Sequence, residues 1–469
     1  MKSLRKAVAI ALTVLLFAGV YAGGASAVED VVAAPDAVSI QLNGENIEFP
    51  SGVEPYFDTA AGRVFVPVRD LFTELGAEVE YDETARVITL TRGGVTVVFP
   101  QDSTTITITE GGATTTIESD VKPLTFDNRV LVPLRFVANA LGSNVGWDQT
   151  AQTAIVIDPE SYLASRPETF DTLGKLIEAE GEPQEGNQAL TMSIDGTVTS
   201  DGMSIPLSFE LEGISSQTAS DLKLAGTVDL PAEMMPGLTA SLAIDADVLA
   251  NAETGFFAIH SELLNASLLG VIPDVAADTW ITGDIYALLS EQGVDIDSIL
   301  AQSEAAYAED VGTLINDAIT QQVLALGEPD DVAFFDATVK VAVDAIYGLL
   351  GDSGLTETED GYVSQFIIED TEIDAKAEVS LKITTDADGK AVSAVSAATV
   401  VIGGETALTL KASASEATFE ITVQFDDLEG TAIDIAVKGE IAPTTEEPRA
   451  GVPEGAETID IGVLLDATV

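Results

Sequence analysis

Few residues of this chain have the type and spacing for chemistry, and each is matched by a plainer structural reading. The single histidine, His260, ends the stretch Gly255-Phe256-Phe257-Ala258-Ile259. A lone imidazole on a strand beside aromatics, with no Ser, Cys or second His placed to complete a triad, predicts a half-buried strand residue rather than a general base. Asp386-Ala387-Asp388-Gly389 opens like a calcium loop, yet Lys390-Ala391-Val392-Ser393 supplies no acidic ligand after the glycine. The same residues predict a β-turn between two strands. Asp295 with Asp297, and Asp426 with Asp427, are acid pairs whose spacing does not separate ligands from solvated carboxylates. The reading is therefore no catalytic residue, no cofactor, no assigned metal site, and no enzyme.

The charge balance narrows the partners. The 469 residues hold 78 acids against 20 Lys and Arg, a net charge of −58. Such a surface repels nucleic acid and anionic lipid, which are bound through Lys and Arg, so nucleic-acid binding is excluded. Lys2, Arg5 and Lys6, an apolar run from Ala7 to Val20, and Ala25-Ser26-Ala27 together read as a signal peptide over residues 1–27. Losing its three cations would take the net charge from −58 to −61. No later run reaches the roughly 18 apolar residues of a membrane span. The absence of cysteine leaves stability to apolar cores rather than disulfides. A secreted protein of a bacterial cell wall or outer surface is the expectation.

The elements that carry this chain are announced by an internal repeat. Residues 62–82, GRVFVPVRDLFTELGAEVEYD, align without a gap on 128–148, NRVLVPLRFVANALGSNVGWD. Arg63, Pro67, Arg69, Gly76 and Asp82 answer Arg129, Pro133, Arg135, Gly142 and Asp148, and Tyr81 answers Trp147. Each copy reads as one supersecondary unit that buries its apolar face against the other. A short strand places Val130 and Val132 on one face, and Pro133 opens a helix, where its missing N–H costs nothing. Leu134, Val137, Ala138 and Leu141 then form one apolar stripe, as do Val68, Leu71, Phe72 and Leu75. Gly76 and Gly142 supply left-handed caps. A second strand follows, whose aromatic, Tyr81 or Trp147, covers the helix, and Asp82 and Asp148 read as turn residues. Arg69 and Arg135 are cations in a first helical turn, where they oppose the helix dipole. They are predicted to pair with Asp82 and Asp148; contact with an anionic wall polymer is the functional alternative.

The paired VPLRFVANALGSNVGWD units resemble the copper amine oxidase N-terminal-like domain, also called the stalk domain, over residues 38–158. The resemblance implies a small α+β module of exported bacterial proteins, without a catalytic role of its own, often joined to wall-active or adhesive partners. Copper amine oxidase chemistry itself needs several histidine ligands, and one imidazole cannot supply them.

The remainder reads differently. Residues 159–188 predict a helix and a linker, 189–441 an antiparallel sheet with helices, and 442–469 an acidic, proline-rich tail that ends in a short strand. Leu190, Met192 and Ile194, then Ile205, Leu207, Phe209 and Leu211, alternate about a turn at Asp201-Gly202. Helical periodicity runs from about 284 to 350, and hairpins return near Asp386 and Gly403. In outline this half resembles the half-barrel of bacterial lipoprotein carrier-like proteins. The fold class is α+β, and the function expected is an exported, noncatalytic envelope protein. Its stalk domain would bind a cell-wall polymer or envelope protein, and its second domain a partner. The alternative is a carrier of a hydrophobic ligand.

Overall fold

The computed structural model describes residues 38–49, 52–179, 186–200, 202–231, 241–262, 276, 278–291, 310–370, 374–427 and 430–462. The signal segment, Asp201, Asp295 and Asp297, and the last seven residues lie outside them. Two compact units divide the described residues: 38–169 with 312–346, and all the others. This corrects the boundary drawn from sequence, which placed the whole helical section with the second sheet.

In the first unit, β1 (Ser39–Leu42) and β2 (Glu45–Asn46) form a hairpin, with Asn43 and Gly44 at φ 48° and 83°. These positive values are what an Asn-Gly turn supplies at low cost. Next come β3 (Tyr56–Asp58), β4 (Arg63–Pro67), helix α1 (Val68–Glu74) and β5 (Glu78–Asp82). The strands β6 (Val87–Arg92), β7 (Val95–Pro100), β8 (Thr105–Glu110) and β9 (Ala113–Glu118) continue from β5 as one meander. Then β10 (Leu124–Phe126), β11 (Arg129–Pro133), helix α2 (Leu134–Ala140), β12 (Asn144–Asp148), β13 (Thr153–Ile157) and helix α3 (Pro159–Ser165) complete the module. Two four-stranded sheets, β12-β13-β1-β2 and β10-β11-β4-β3, accompany the meander.

The elements of 62–82 and 128–148 fall at matching positions. Both helices end in the same way: Gly76 and Gly142 stand at φ 77° and 81°. Ala77 N–H donates to Phe72 O and Ser143 N–H to Ala138 O, which satisfies carbonyls a helix end leaves open. The prolines sit one residue earlier than expected. Pro67 and Pro133 close their strands and stand as N-caps, at φ −60° and −66°. Strands β4 and β11 pair antiparallel with Val66 opposite Val132 and Phe65 opposite Pro133, so the pairing is centred on equivalent residues. Seven-residue helices are not stable alone. Here Leu71, Phe72 and Leu75 share one buried cluster with Leu134, Val137, Ala138 and Leu141. Full burial of each large side chain contributes about 1.5 to 3 kcal/mol. The other face of β4 and β11 puts Phe65 and Leu131 against Val53.

In the second unit, one antiparallel sheet dominates. Its strands are β14 (Asn187–Ser200), β15 (Met203–Ser215), β16 (Ala219–Asp229), β17 (Ser241–Asn251), β18 (Phe256–His260) and β19 (Trp280–Asp284). After the helical section come β20 (Thr356–Thr358), β21 (Gly361–Asp370), β22 (Ala375–Thr385), β23 (Ala391–Ile402), β24 (Glu405–Ser415), β25 (Thr418–Asp426), β26 (Ala432–Thr444) and β27 (Thr458–Asp460). Among the described residues the order runs from β20 through β26, then β14 through β19, and ends at β27. The long-range pairing of β26 with β14, from Asn187↔Thr444 to Thr199↔Ala432, joins the two strand series. The segment after β26 packs onto the sheet: Arg449 is paired with Asp221, Val452 and Ala456 pack against Leu249, Ala258 and Trp280, and β27 lies parallel to β19.

Candidate functional site

The arginines of the repeat do not meet the aspartates assigned to them. Arg135 Nη1 lies 3.1 Å from Glu328 Oε2, and Arg69 is exposed with no ion pair among the described residues. Asp82 and Asp148 are instead held by their own turns. Asp82 accepts from Thr84 N–H and Ala85 N–H at 2.8 and 2.9 Å, and Asp148 from Thr150 N–H and Ala151 N–H at 2.7 Å each. The amides of Ala85 and Thr84 hold the Asp82 carboxyl below its ordinary value. An aspartate that accepts two backbone amides has no need of an arginine, which is the physical reason for the correction.

The other repeat residues divide between fold and surface. Arg63 reaches Asp120 at 2.5 Å and lies over the Phe136 ring at 5.8 Å, whereas Arg129 is exposed. Trp147 packs against the shared core only in part, stacks on Phe57 at 5.5 Å, and donates to Gln149 Oε1 at 3.1 Å. Tyr81 is exposed and bonds Gln101 Oε1 at 2.8 Å, so it does not cover its helix. His260 ends β18 with its ring 5.4 Å from that of Trp280. Asp386 Oδ1 accepts from Asp388 N–H and Lys390 N–H at 3.0 and 2.9 Å, which makes this stretch the turn between β22 and β23.

Sequence reasoning missed the most buried ionic group of the first unit. Arg92, at the end of β6, forks onto Asp158 with Nη1–Oδ2 at 2.6 Å and Nη2–Oδ1 at 2.7 Å, and also meets Glu160 Oε2 at 2.9 Å. Asp158 is wholly buried and accepts from Ser143 Oγ at 2.5 Å and Ser161 N–H at 2.8 Å, the latter as N-cap of α3. Burial alone would lower the Arg92 pKa, but the hydrogen bonds and charge of Asp158, with Glu160, raise it. Asn43 in the β1–β2 turn holds the Asp158 backbone at both ends, with bonds of 2.8 and 3.0 Å. The only local signal was Asp158-Pro159 with Ser161 two residues on, a helix start. With Arg92 and Asp158 buried and only Glu160 reaching solvent, this node ties β6, β13 and α3 together.

The second unit offers a surface of another kind. Leu190, Met192, Ile194 and Val198 of β14 share a face with Ile205, Leu207, Phe209 and Leu211 of β15, set by Met192↔Leu211 and Ile194↔Phe209. The same face continues through Leu224 and Val228 of β16, Ile433, Ile435 and Val437 of β26, and Phe419, Ile421 and Val423 of β25. Farther along, Val379, Leu381 and Ile383 of β22 with Ala394 and Ala398 of β23 are buried, but no described residue of β14, β15, β16, β25 or β26 is. Gly226 and Gly439 leave gaps that the Phe209 and Phe419 rings fill, because a Cβ at either position would overlap the ring. The reverse face is polar, with Glu210 and Glu212 on β15, Glu420 on β25, and Lys438 and Glu440 on β26. Among the described residues, no group of three or more His, Cys, Asp or Glu is placed to hold a metal ion. No described helix is long and apolar enough to cross a membrane. What this arrangement can do chemically is hold apolar matter by contact.

Comparison with known proteins bears mainly on the first unit. No curated protein matches the chain. A solved structure of lipovitellin, described for its lipid–protein interactions, is 9% identical over 59% of this chain, with a TM-score of 0.15. The chain spans 27% of that lipovitellin chain. The translocator domain of the autotransporter NalP from Neisseria meningitidis is 8% identical over 60% of this chain and 96% of its own, with a TM-score of 0.14. At such scores neither likeness carries an argument. Residues 41–156, by contrast, match the family model of the copper amine oxidase N-terminal domain, a noncatalytic domain, and the first unit of this chain carries a domain of that family.

Proposed function

We propose that this chain is an exported, noncatalytic protein of the bacterial cell envelope whose large sheet binds an apolar ligand through the face of β25-β26-β14-β15-β16. The first unit, which we infer is built from two copies of one strand–helix–strand motif, would serve association with the wall or with an envelope protein. The observation that carries the ligand reading is this broad apolar face, whose side chains are all half-buried and none fully buried among the described residues. Five strands about 4.8 Å apart, each presenting about eight residues at roughly 3.3 Å, span on the order of 600 Å². An apolar face of that extent, half-open rather than closed into a core, has the character of a binding surface. Flat phenylalanine rings over Gly226 and Gly439 favour a ligand that lies along the sheet, as an acyl chain does. The charge of −58 disfavours an anionic membrane as the occupant.

Titration of the secreted chain with a fluorescent long-chain fatty alcohol tests this reading. Saturable binding is expected, and Ile194→Glu or Val437→Glu should abolish it while the unfolding midpoint of the sheet moves little. Absence of saturable binding, or binding indifferent to both substitutions, refutes the proposal.

A further inference from the structure

The two copies of the repeat have the same elements but different neighbours, and the difference converges on one strand edge. Strand β12 is the outer strand of its sheet. Against it lies the chain's own segment from Val323 to Val332, far away in sequence but within the same unit. Trp147 N–H donates to the Pro329 carbonyl at 3.1 Å. Asn144 Nδ2 donates to the carbonyls of Val323 and Leu324 at 3.3 and 3.0 Å. Those two carbonyls belong to the last turn of the helix Val311–Ala325, where they also accept from Leu326 N–H and Gly327 N–H in long bonds of 3.3 Å each, so Asn144 adds a second donor to each. Val332 N–H donates to Asp148 Oδ2 at 3.2 Å, and Arg135 meets Glu328 at 3.1 Å. Pro329 is buried, and any Cβ at Gly146 would overlap its carbonyl oxygen.

The first copy lacks these features at the corresponding positions. Glu78 stands where Asn144 does, Glu80 where Gly146 does, and both are exposed together with Arg69, Tyr81 and Asp82. Glu80 would collide with the Pro329 carbonyl, and Glu78 would set a carboxylate against carbonyl oxygens. One motif has thus been given two surfaces by a few side chains.

We propose that the edge of β12, with Arg135, Asn144, Gly146 and Asp148, is a docking site for a helix end continued by an extended Gly-Glu-Pro-Asp-Asp segment, and that its occupant is the chain's own Val323–Val332. Asn144 caps the helix, the Trp147 amide takes the proline carbonyl as a sheet edge takes an added strand, and Arg135 reads the glutamate. Gly146 is the selecting position, because there the Pro329 carbonyl comes so close that any side chain would forbid docking. The copper amine oxidase N-terminal-like domain therefore keeps its second copy for an internal ligand, and an external partner is left the first copy's face.

Amide hydrogen exchange on the full chain tests the proposal. In Gly146→Val the Trp147 amide should exchange roughly tenfold faster or more, the factor lost with one net hydrogen bond. The amides of Ile155 and Val156 in β13 should stay protected. If these also lose protection, Asn144→Ala decides, since it removes only the two side-chain bonds to the helix end and leaves the strand intact. It should speed exchange at Trp147 and raise proteolysis between 323 and 332, whereas Glu80→Gly in the first copy should change neither. Wild-type exchange at Trp147 and wild-type proteolysis in Asn144→Ala overturn the proposal.

Discussion

Replacing Arg92 by methionine is the most informative perturbation of the first unit. The substitution keeps most of the side-chain volume and removes the fork that holds Asp158 at 2.6 and 2.7 Å. The residue is 8% exposed and Asp158 0%, so solvent cannot replace what is lost. Asp158 keeps the Ser143 hydroxyl and the Ser161 amide, which support a carboxylate without balancing its charge. Removing one partner of a buried pair costs about 3 to 5 kcal/mol. For a unit of this size that corresponds to a fall in Tm of roughly 6 to 20 °C. The chain's two tryptophans make the measurement local, because Trp147 lies in the first unit and Trp280 in the second. In a Trp280→Phe background, Trp147 fluorescence follows the first unit alone. Adding Asp158→Asn should recover a large part of the loss, since the uncompensated charge is then gone and asparagine still caps α3. A fall below about 1 kcal/mol for Arg92→Met, or no recovery in the double variant, would show that the pair contributes little and that the core alone holds β6 to β13.

Trp147→Ala should destabilise the first unit by about 1 to 2.5 kcal/mol, below the 3 to 5 typical of a fully buried aromatic, because the ring is only partly covered; chemical denaturation gives the value. Arg449 holds the Asp221 carboxyl below its reference value of 3.8 through hydrogen bonds at 2.6 and 2.7 Å. Their contribution is therefore complete well above pH 3.8 and is lost as pH falls through the lower folded value, so Arg449→Ala should flatten the acid limb of the stability profile of the second unit. Added salt should raise Tm, since the screening length shrinks from about 30 Å at 0.01 M to about 3 Å at 1 M and the net charge is −58. Calcium at constant ionic strength should add nothing saturable, and Asp388→Asn should leave that response unchanged, because the neighbouring Asp386 carboxylate is engaged by turn amides.

The local grammar of the first unit was legible in the amino-acid order. Pro67, Pro133, Gly76 and Gly142 act through φ angles that their own covalent structure permits, so the ends of both helices follow from residue type alone, to within one position. The Asn43-Gly44 hairpin and the alternation of β14 with β15 are determined in the same way, by turn chemistry and a period of two. The partners of charged and polar groups were decided only by the tertiary structure. Arg135 had Asp148 nearby in sequence, yet that aspartate is engaged by amides two and three residues ahead, and the arginine found Glu328 instead. Arg92 and Asp158 stand 66 residues apart, and nothing in either neighbourhood announces the other. The helical section of 312–346 joins the first unit because Gly146 leaves room for Pro329 and Asn144 completes a helix end, and the segment after β26 is held by Arg449 on Asp221. Periodicity records which face of an element is apolar; it carries no address for what that face, or a buried charge, will meet once the chain closes on itself.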